Sequence, residues 1–212
     1  MGEIVYRVIT ISREYGSGGA AIAGGLASKL GWRLLDRAVI SELARAAHVD
    51  PALARAYDER LDSWVHRVSR RALWRGAFEQ IASVTARDFF DAETMAALST
   101  EVITQAADQG ECVIVGRGAQ CLLQGRSDTF HIFVYAPVKL KLDRLRSRLT
   151  GVGNLEERAQ SMDNMRADYI RAHFGCDWKN PHLYDLMINS GLGDGRAIEA
   201  ILCAVQPRAL NA

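Results

Sequence analysis

The chain alternates short apolar runs with stretches of helical periodicity. Val5–Ile11 is a β-branched run that predicts a first strand, and it leads into a glycine cluster, Gly16-Ser17-Gly18-Gly19. From Ala20 to Leu30 the apolar residues recur at helical spacing, and Gly31 ends the predicted helix. The sequence "WRLLD" then predicts a short second strand that ends at Asp36. A strand, a glycine loop and a helix therefore open the chain.

The rest of the chain continues this alternation. Residues 38–109 are nearly free of Gly and Pro and rich in Ala, Arg, Glu and Leu, which predicts three or four helices. The runs "ECVIVGRG" and "FHIFVYAP" predict two buried parallel strands, and "YDLMINS" predicts a fifth. A basic helical stretch lies between residues 138 and 175, and a last helix starts near Asp194. The pattern indicates an α/β protein with a parallel sheet and a site at the carboxyl ends of its strands.

Composition restricts the location and the partners of the protein. The 212 residues are 49% hydrophobic and 24% charged, with a formal net charge of +1. No signal-peptide pattern and no run of about 18 apolar residues occur, so we expect a cytoplasmic protein with no membrane partner. The arginines are offset by acids and form no basic stripe with interleaved aromatics, which argues against a nucleic acid polymer. The four scattered cysteines show no zinc-ligand spacing, and we expect reduced thiols.

The glycine cluster fits a dinucleotide-binding fingerprint. Gly16, Gly18 and Ala21 match G-x-G-x-x-A, and Asp36 follows at the end of the second strand, as that fingerprint requires. Four residues, Ser12 to Tyr15, separate the strand from Gly16, whereas a dinucleotide loop usually enters its first glycine directly. The longer loop suits a wider phosphate cradle.

The same cluster partly fits the phosphate loop G-x-x-x-x-G-K-[ST]. With Gly18 as the second glycine, Arg13 stands on the first glycine, Gly19 on the lysine and Ala20 on the hydroxyl residue. Backbone N–H groups and a helix N-terminus would remain to bind an anion, without the lysine charge or the hydroxyl. A plain strand-to-helix turn is the third interpretation. Pattern alone leaves the first two interpretations nearly level.

Several motifs in the right order relate the chain to a known family. They are "ITISREYGSGG", "LLDRAVI", "VIVGRGAQCLL", "FHIFVYAP", "MDNMRADYIRAHFGCDW" and "YDLMINSGLG". Through them the chain resembles the cytidylate kinase-like proteins, a branch of the P-loop nucleoside monophosphate kinases. The resemblance implies an α/β fold, a P-loop-type three-layer sandwich with a five-stranded parallel sheet. It also implies one domain over residues 1–212, with a helical insertion at about 38–109 and a basic helical lid at about 139–175.

The resemblance, together with the spacing of the charged residues, assigns candidate roles. The nucleotide donor ATP is expected at the glycine loop, on Arg13, Gly16, Ser17, Gly18, Gly19, Ala20 and Ala21. The phosphate acceptor is expected at Asp36, Arg37, Gly116 and Arg117, with Asp36 also a candidate carboxylate for Mg²⁺. The catalytic set is Arg13 and Arg117 with the lid residues Arg144, Arg148, Asp163 and Arg166. Arginine forks suit phosphate oxygens, which is why a cluster of arginines points to phosphoryl transfer.

The sequence therefore predicts an ATP-dependent phosphotransferase that resembles cytidylate kinase and acts on a nucleoside monophosphate such as CMP. The chain departs from the family's usual pattern at Ala20, where an arginine is common, and at Arg37-Ala38, where a threonine and a glycine are usual. A nucleotide-binding sensor or partner protein without turnover is the first alternative, because the loop lysine and hydroxyl are missing. An NAD-type oxidoreductase is the second. The sequence leaves the oligomeric state open.

Overall fold

The computed structural model describes residues 5–36, 38–40, 88–149 and 153–206. For residues 88–96 and 98, which lie in a helix, it describes the backbone alone. Most of the predicted helical insertion, and Arg37 with it, lies outside the described residues. Within the described part of the chain, no helix is long and apolar enough to cross a membrane.

Five strands form one parallel sheet, as predicted. They are β1 (Val8–Arg13), β2 (Arg33–Leu35), β3 (Cys112–Val115), β4 (Thr129–Tyr135) and β5 (Leu186–Asn189). Their order in the sheet is β2-β3-β1-β4-β5, so β1 lies in the centre between β3 and β4. All of their carboxyl ends therefore meet at one edge, where a ligand site is expected in an open parallel sheet.

Strand β1 begins and ends later than the apolar pattern predicts. The pattern places the strand at Val5–Ile11, whereas the structure places it at Val8–Arg13. Its register with β4 runs from Val8 opposite Thr129 to Arg13 opposite Val134, so pairing continues past the last apolar residue. Arg13 is the last residue of the central strand because it pairs with Val134 of β4, which the local sequence pattern does not show.

Helices cover both faces of the sheet. Their bounds are α1 (Gly19–Leu30), α2 (Asp88–Gln109), α3 (Ala119–Leu122), α4 (Val138–Arg146), α5 (Leu155–Phe174) and α6 (Asp194–Val205). On one face, α1 and α6 pack on β1, β3 and β4 through residues such as Ile9, Leu26 and Ile201. On the other face, α2 and α3 bury Ile103 and Ala119 against the sheet. The result is a three-layer α/β sandwich.

Helices α4 and α5 occupy the predicted lid region and lie against the glycine loop. A small buried cluster joins Tyr15 of the loop to Leu145 and Leu149 at the end of α4 and to Ala159 of α5. Helix α5 starts at Leu155, and the preceding Asn154 is its N-cap, whose side chain accepts the N–H groups of Glu156 and Glu157. The basic segment is thereby fixed directly over the carboxyl edge of the sheet.

Candidate active site

The glycine loop joins β1 to α1 and presents unpaired backbone donors. Gly16 and Gly18 have φ values of 79° and 82°, a conformation that glycine adopts without strain, and Gly18 precedes the first turn of α1. Among the described residues, no carbonyl accepts the N–H groups of Gly16, Gly18, Gly19 or Ala20. Unpaired N–H groups at a helix N-terminus form an anion site. The backbone part of a phosphate loop is therefore present.

The side chain of Arg13 fills the space beside Gly19. A Cβ placed on Gly19 would lie 2.6 Å from Cβ and 2.9 Å from Cγ of Arg13, and a Cβ placed on Gly116 would lie 2.2 Å from its Nη1. Arg13 thus runs from the start of α1 to the carboxyl end of β3. In the phosphate-loop alignment, Arg13 takes the glycine position and Gly19 the lysine position. Compared with that motif, the long cationic side chain is at position 13, in the strand, and the glycine is at position 19, in the helix.

Ser17 and Ala21 form hydrogen bonds within the turn between β1 and α1. The Ser17 hydroxyl donates to the carbonyl of Glu14 at 2.8 Å, and the Ala21 N–H donates to the carbonyl of Gly18 at 3.0 Å. Both bonds close the turn, so these residues hold the shape of the cradle.

Arg144 braces the glycine loop from α4. Its Nη1 donates to the carbonyl of Ser17 at 2.6 Å and to the hydroxyl of Ser190 at 2.9 Å, and its Nη2 pairs with Asp194 at 2.8 Å. Gly18 lies so close that a Cβ there would be 2.8 Å from the same Nη1. Arg148 is different, because α4 ends at Arg146 and Arg148 lies exposed in the following turn. The structure therefore places Arg144 at the loop and Arg148 in an exposed turn after α4.

Asp163 and Arg166 tie α5 to the loop. Asp163 is buried and accepts the Tyr15 N–H at 2.7 Å, while Arg166 donates to the carbonyl of Arg13 at 2.8 Å and to Asp163 at 3.1 Å. The Arg166 guanidinium also lies 5.6 Å from the centre of the Tyr15 ring. The predicted one-turn spacing of Asp163 and Arg166 therefore does form an ion pair, and both residues also hold the loop backbone.

Lys141 of α4 completes this charged network. Its Nζ lies 3.1 Å from Glu14 and 3.8 Å from Asp163. Burial raises the pKa of Asp163, against the opposing effects of the Tyr15 N–H and of Arg166 and Lys141. Burial likewise lowers the pKa of Arg166, against the opposing effect of Asp163. Both groups are thus held partly desolvated at the entrance to the loop.

A cavity of about 220 Å³ opens beside the loop at the carboxyl ends of β1 and β3. One face of α5 forms its wall, and its lining divides by chemistry. The cationic residues are Arg13, Arg117, Arg158 and Arg166. The apolar and aromatic residues are Tyr15, Val115, Met162, Met165, Tyr169, Ile170 and Trp178. Such a lining suits a ligand with an anionic part and a flat or apolar part.

The turn after β3 shapes the cavity through its backbone. Gly116, Arg117 and Gly118 have φ values of 75°, 58° and 74°. For a residue with a Cβ such as Arg117 this conformation costs about 1 kcal/mol or more. A Cβ on Gly118 would lie 2.1 Å from the ring of Phe174, so the turn also packs closely on the end of α5. The strain directs the Arg117 side chain into the lining of the cavity.

Two lining residues were missed by the sequence analysis. Gln120 is 1% exposed, and within the described ranges neither its Nε2 nor the buried Nε of Arg158 has a hydrogen-bond partner. Arg158 is on the same α5 face as Met162 and Arg166, a periodicity that the sequence contained. Gln120 follows Gly118 closely, but only the fold shows that it is buried.

Asp36 lies outside the cavity lining. Its side chain accepts the Val39 N–H at 2.9 Å, as a helix cap does. Among the described residues, no group of three or more Asp, Glu, His or Cys side chains is placed to hold a metal ion. A dedicated carboxylate cage for Mg²⁺ is therefore not part of the described structure, and Asp36 stays a candidate by prediction only.

The chain matches the family model described as the cytidylate kinase-like family over residues 8–192. This match covers most of the sequence. The chain belongs to the cytidylate kinase-like family. The resemblance inferred from the ordered motifs is thereby confirmed, and family membership supports a phosphotransferase.

Solved structures agree on the fold. An uncharacterized protein from Eubacterium ventriosum ATCC 27560 is 22% identical, with a TM-score of 0.67 over 95% of this chain and 99% of that one. Shikimate kinase from Acinetobacter baumannii, in complex with shikimate, is 18% identical, with a TM-score of 0.50 over 95% of this chain and 94% of that one. No curated protein matches the chain. At these identities the two structures support the P-loop kinase fold alone.

Proposed function

We propose that this protein is a kinase that transfers the γ-phosphoryl group of ATP to a nucleoside monophosphate such as CMP. One observation carries the proposal: a cavity lined by four arginines opens directly beside a glycine loop whose N–H groups are unpaired among the described residues. Phosphoryl transfer needs cations and N–H donors around the moving group more than it needs covalent chemistry from the protein.

The donor side of the proposed reaction is the loop. The N–H groups of Gly16, Gly18, Gly19 and Ala20 would bind the phosphate oxygens of ATP, with the dipole of α1 behind them. Arg13 extends from this loop to Gly116 at the cavity, so its guanidinium would lie between the donor and the acceptor. That position suits a cation that stabilises the phosphoryl group during transfer.

The acceptor side is the cavity. Arg117 and Arg166 would bind the phosphate of the acceptor, and the apolar side chains of α5 with Trp178 would cover its flat base. Asp163 would act through Arg166, because it pairs with that guanidinium and does not line the cavity. Arg148 would contribute only if the lid moves.

Magnesium fits this proposal as an ion that the nucleotide brings with it. Mg²⁺ in kinase sites keeps several waters and is bound largely by substrate phosphates. When bound it would neutralise charge on the phosphates. The described residues contribute the cradle and the arginines, and we assign no metal-binding step to any of them.

The test is ADP release from ATP and Mg²⁺ with a panel of nucleoside monophosphates, CMP first, beside a control without acceptor. Acceptor-dependent release supports the kinase. Arg166→Met is expected to reduce the rate by at least about 100-fold, as loss of a transition-state cation does. Arg171→Met, at an exposed position on the same helix, is the matched control and should leave the rate unchanged. Equal rates in both variants would contradict the assigned site.

A binding protein without turnover is the second candidate. Gly19 and Ala20 remove the lysine and the hydroxyl that usually follow the phosphates, and this observation favours it. Tight ATP binding with no ADP release for any acceptor would support this candidate. An NAD-type oxidoreductase is not favoured, because β3 lies next to β1 here, whereas β2 has that place in the classical dinucleotide fold. Binding of a nicotinamide dinucleotide in place of ATP would reverse this conclusion.

A further inference from the structure

We infer that Gln120 determines which acceptor the cavity takes, by donating a hydrogen bond from its amide to the uncharged, ring-shaped part of the ligand. This inference rests on the proposed function, since it concerns the same cavity. It assigns a specificity role to a residue outside the predicted site.

The state of the Gln120 side chain is the first observation. The residue is 1% exposed and lines the cavity, and in the described part of the chain its Nε2 meets no oxygen or nitrogen acceptor, only the weakly accepting Cys121 thiol beside it. A buried amide without a partner destabilises a folded protein, and native structures pair nearly all such groups. A donor that stays unpaired at a cavity wall is therefore well placed to bind a ligand atom.

The position of Gln120 is the second observation. The next residue, Cys121, packs against a buried cluster that contains Phe133, Ile170 and Trp178, and the last two also line the cavity. Burial raises the pKa of the Cys121 thiol and the Gln120 side chain opposes that rise, so the amide lies beside Cys121 and this aromatic cluster. Arg166 instead reaches the glycine loop through the Arg13 carbonyl, and the Arg13 side chain extends from Gly19 to Gly116, where its guanidinium lies. The cavity accordingly offers cations between the loop and Gly116, and a neutral donor beside its aromatic residues.

These two environments match one class of ligand. The anionic group of the acceptor would face the arginines, and a flat ring with a carbonyl oxygen or an unprotonated ring nitrogen would lie in the apolar part. A pyrimidine or purine base supplies both features, and a primary amide commonly hydrogen-bonds to such edges. A ligand that lacks an acceptor atom at this point would leave Nε2 unpaired and would bind more weakly.

Gln120→Met tests the inference, because methionine keeps the unbranched shape and removes the amide. Gln124→Met makes the same chemical change at an exposed position four residues later and serves as the control. We would measure the melting temperature without ligand, and the dissociation constants of ATP and of CMP, UMP, AMP and GMP by calorimetry.

We expect Gln120→Met to melt at the same or a higher temperature than the parent, since it removes an unpaired buried amide. Its dissociation constant for the preferred monophosphate should rise by about 5- to 150-fold, the effect of one lost hydrogen bond to a buried group. The constant for ATP should not change, and Gln124→Met should match the parent in every measurement.

Three results would overturn the inference. The first is a lower melting temperature with unchanged monophosphate affinity, which would make Gln120 structural. The second is an equal loss of affinity for ATP. The third is failure of all four monophosphates to bind the parent. If a monophosphate binds and weakens as expected while no ADP is released, the kinase proposal fails and the role of Gln120 in binding stands.

Discussion

The close packing of Arg13 on Gly19 predicts a strong coupling between these two positions. A methyl group at Gly19 would lie 2.6 Å from Cβ of Arg13, which cannot swing away as the end of a long side chain can. Gly19→Ala must therefore shift the strand or the helix, and overpacking of this kind costs about 1–3 kcal/mol. In a protein of this size that loss lowers the melting temperature by roughly 2–4 °C per kcal/mol.

The same substitution should be harmless when Arg13 is absent. In an Arg13→Gly background the atom that collides is gone, and alanine near the start of a helix is favoured over glycine by about 0.4–1 kcal/mol. Gly195→Ala supplies the control, because Gly195 is in the first turn of α6 and a Cβ there meets no atom within 4 Å. We expect that variant to be neutral or slightly stabilised.

The assay is equilibrium unfolding in denaturant of the parent, both single variants and the double variant. The double-mutant cycle should give a coupling of about 1–3 kcal/mol, well above the roughly 0.5 kcal/mol within which independent sites add. If Gly19→Ala has the same effect in both backgrounds, the two residues do not share this space. The conclusion that the Arg13 side chain occupies the space of a side chain at position 19 would then be refuted.

Three further predictions concern the loop and its supports. Arg144→Met should destabilise the protein by about 1.5–3 kcal/mol, because it removes charged hydrogen bonds that hold the loop. Arg146→Met, at an exposed position that pairs with Asp143 of the same helix, should change the unfolding free energy by less than about 0.5 kcal/mol. Comparable losses in denaturant unfolding would contradict the brace. Burial raises the pKa of Asp163 in the folded protein, so its contribution to stability is present in acid and is lost as the pH rises. The unfolding free energy of the parent minus that of Asp163→Asn should therefore fall from pH 4 towards neutrality. A rise in this difference would contradict the burial effect. Gly118→Ala should lower the melting temperature because its methyl group would meet Phe174, and Phe174→Leu in the same chain should recover part of that loss; no recovery would show that backbone strain alone is responsible.

The layout of the fold was predictable because it follows from local pattern. Apolar runs bounded by polar residues, glycine or proline predicted all five strands, although β1 is shifted towards Arg13, and the helical spacing after Gly18 located α1 to within one residue. The pair of Asp163 and Arg166 was also predictable, since residues three apart on a helix are neighbours. Each of these features depends on residues that are close in the chain.

The roles within the site were less predictable, because they depend on distant partners. Arg144 was expected in a lid over the phosphates, yet its contacts with Ser17 and Asp194 join residues 127 and 50 positions apart. Gln120 carries no motif, and its importance comes from burial that β3, α3 and α5 create together. Sequence spacing contains neither kind of information.

The charges around the loop explain how a glycine loop without its lysine keeps a defined shape. Lys141 is paired with Glu14 and Asp163, Arg144 with Asp194, and Arg166 with Asp163, so each of these cations is held by a carboxylate. Such pairs hold the loop from outside, and among the described residues no carbonyl accepts the N–H groups of Gly16, Gly18, Gly19 or Ala20, which leaves them available to an anion. The cation that extends from the loop to the cavity is then Arg13, and a lysine side chain at position 19 would collide with it. A change that restores the lysine therefore has to remove the Arg13 side chain as well, because the two occupy the same space.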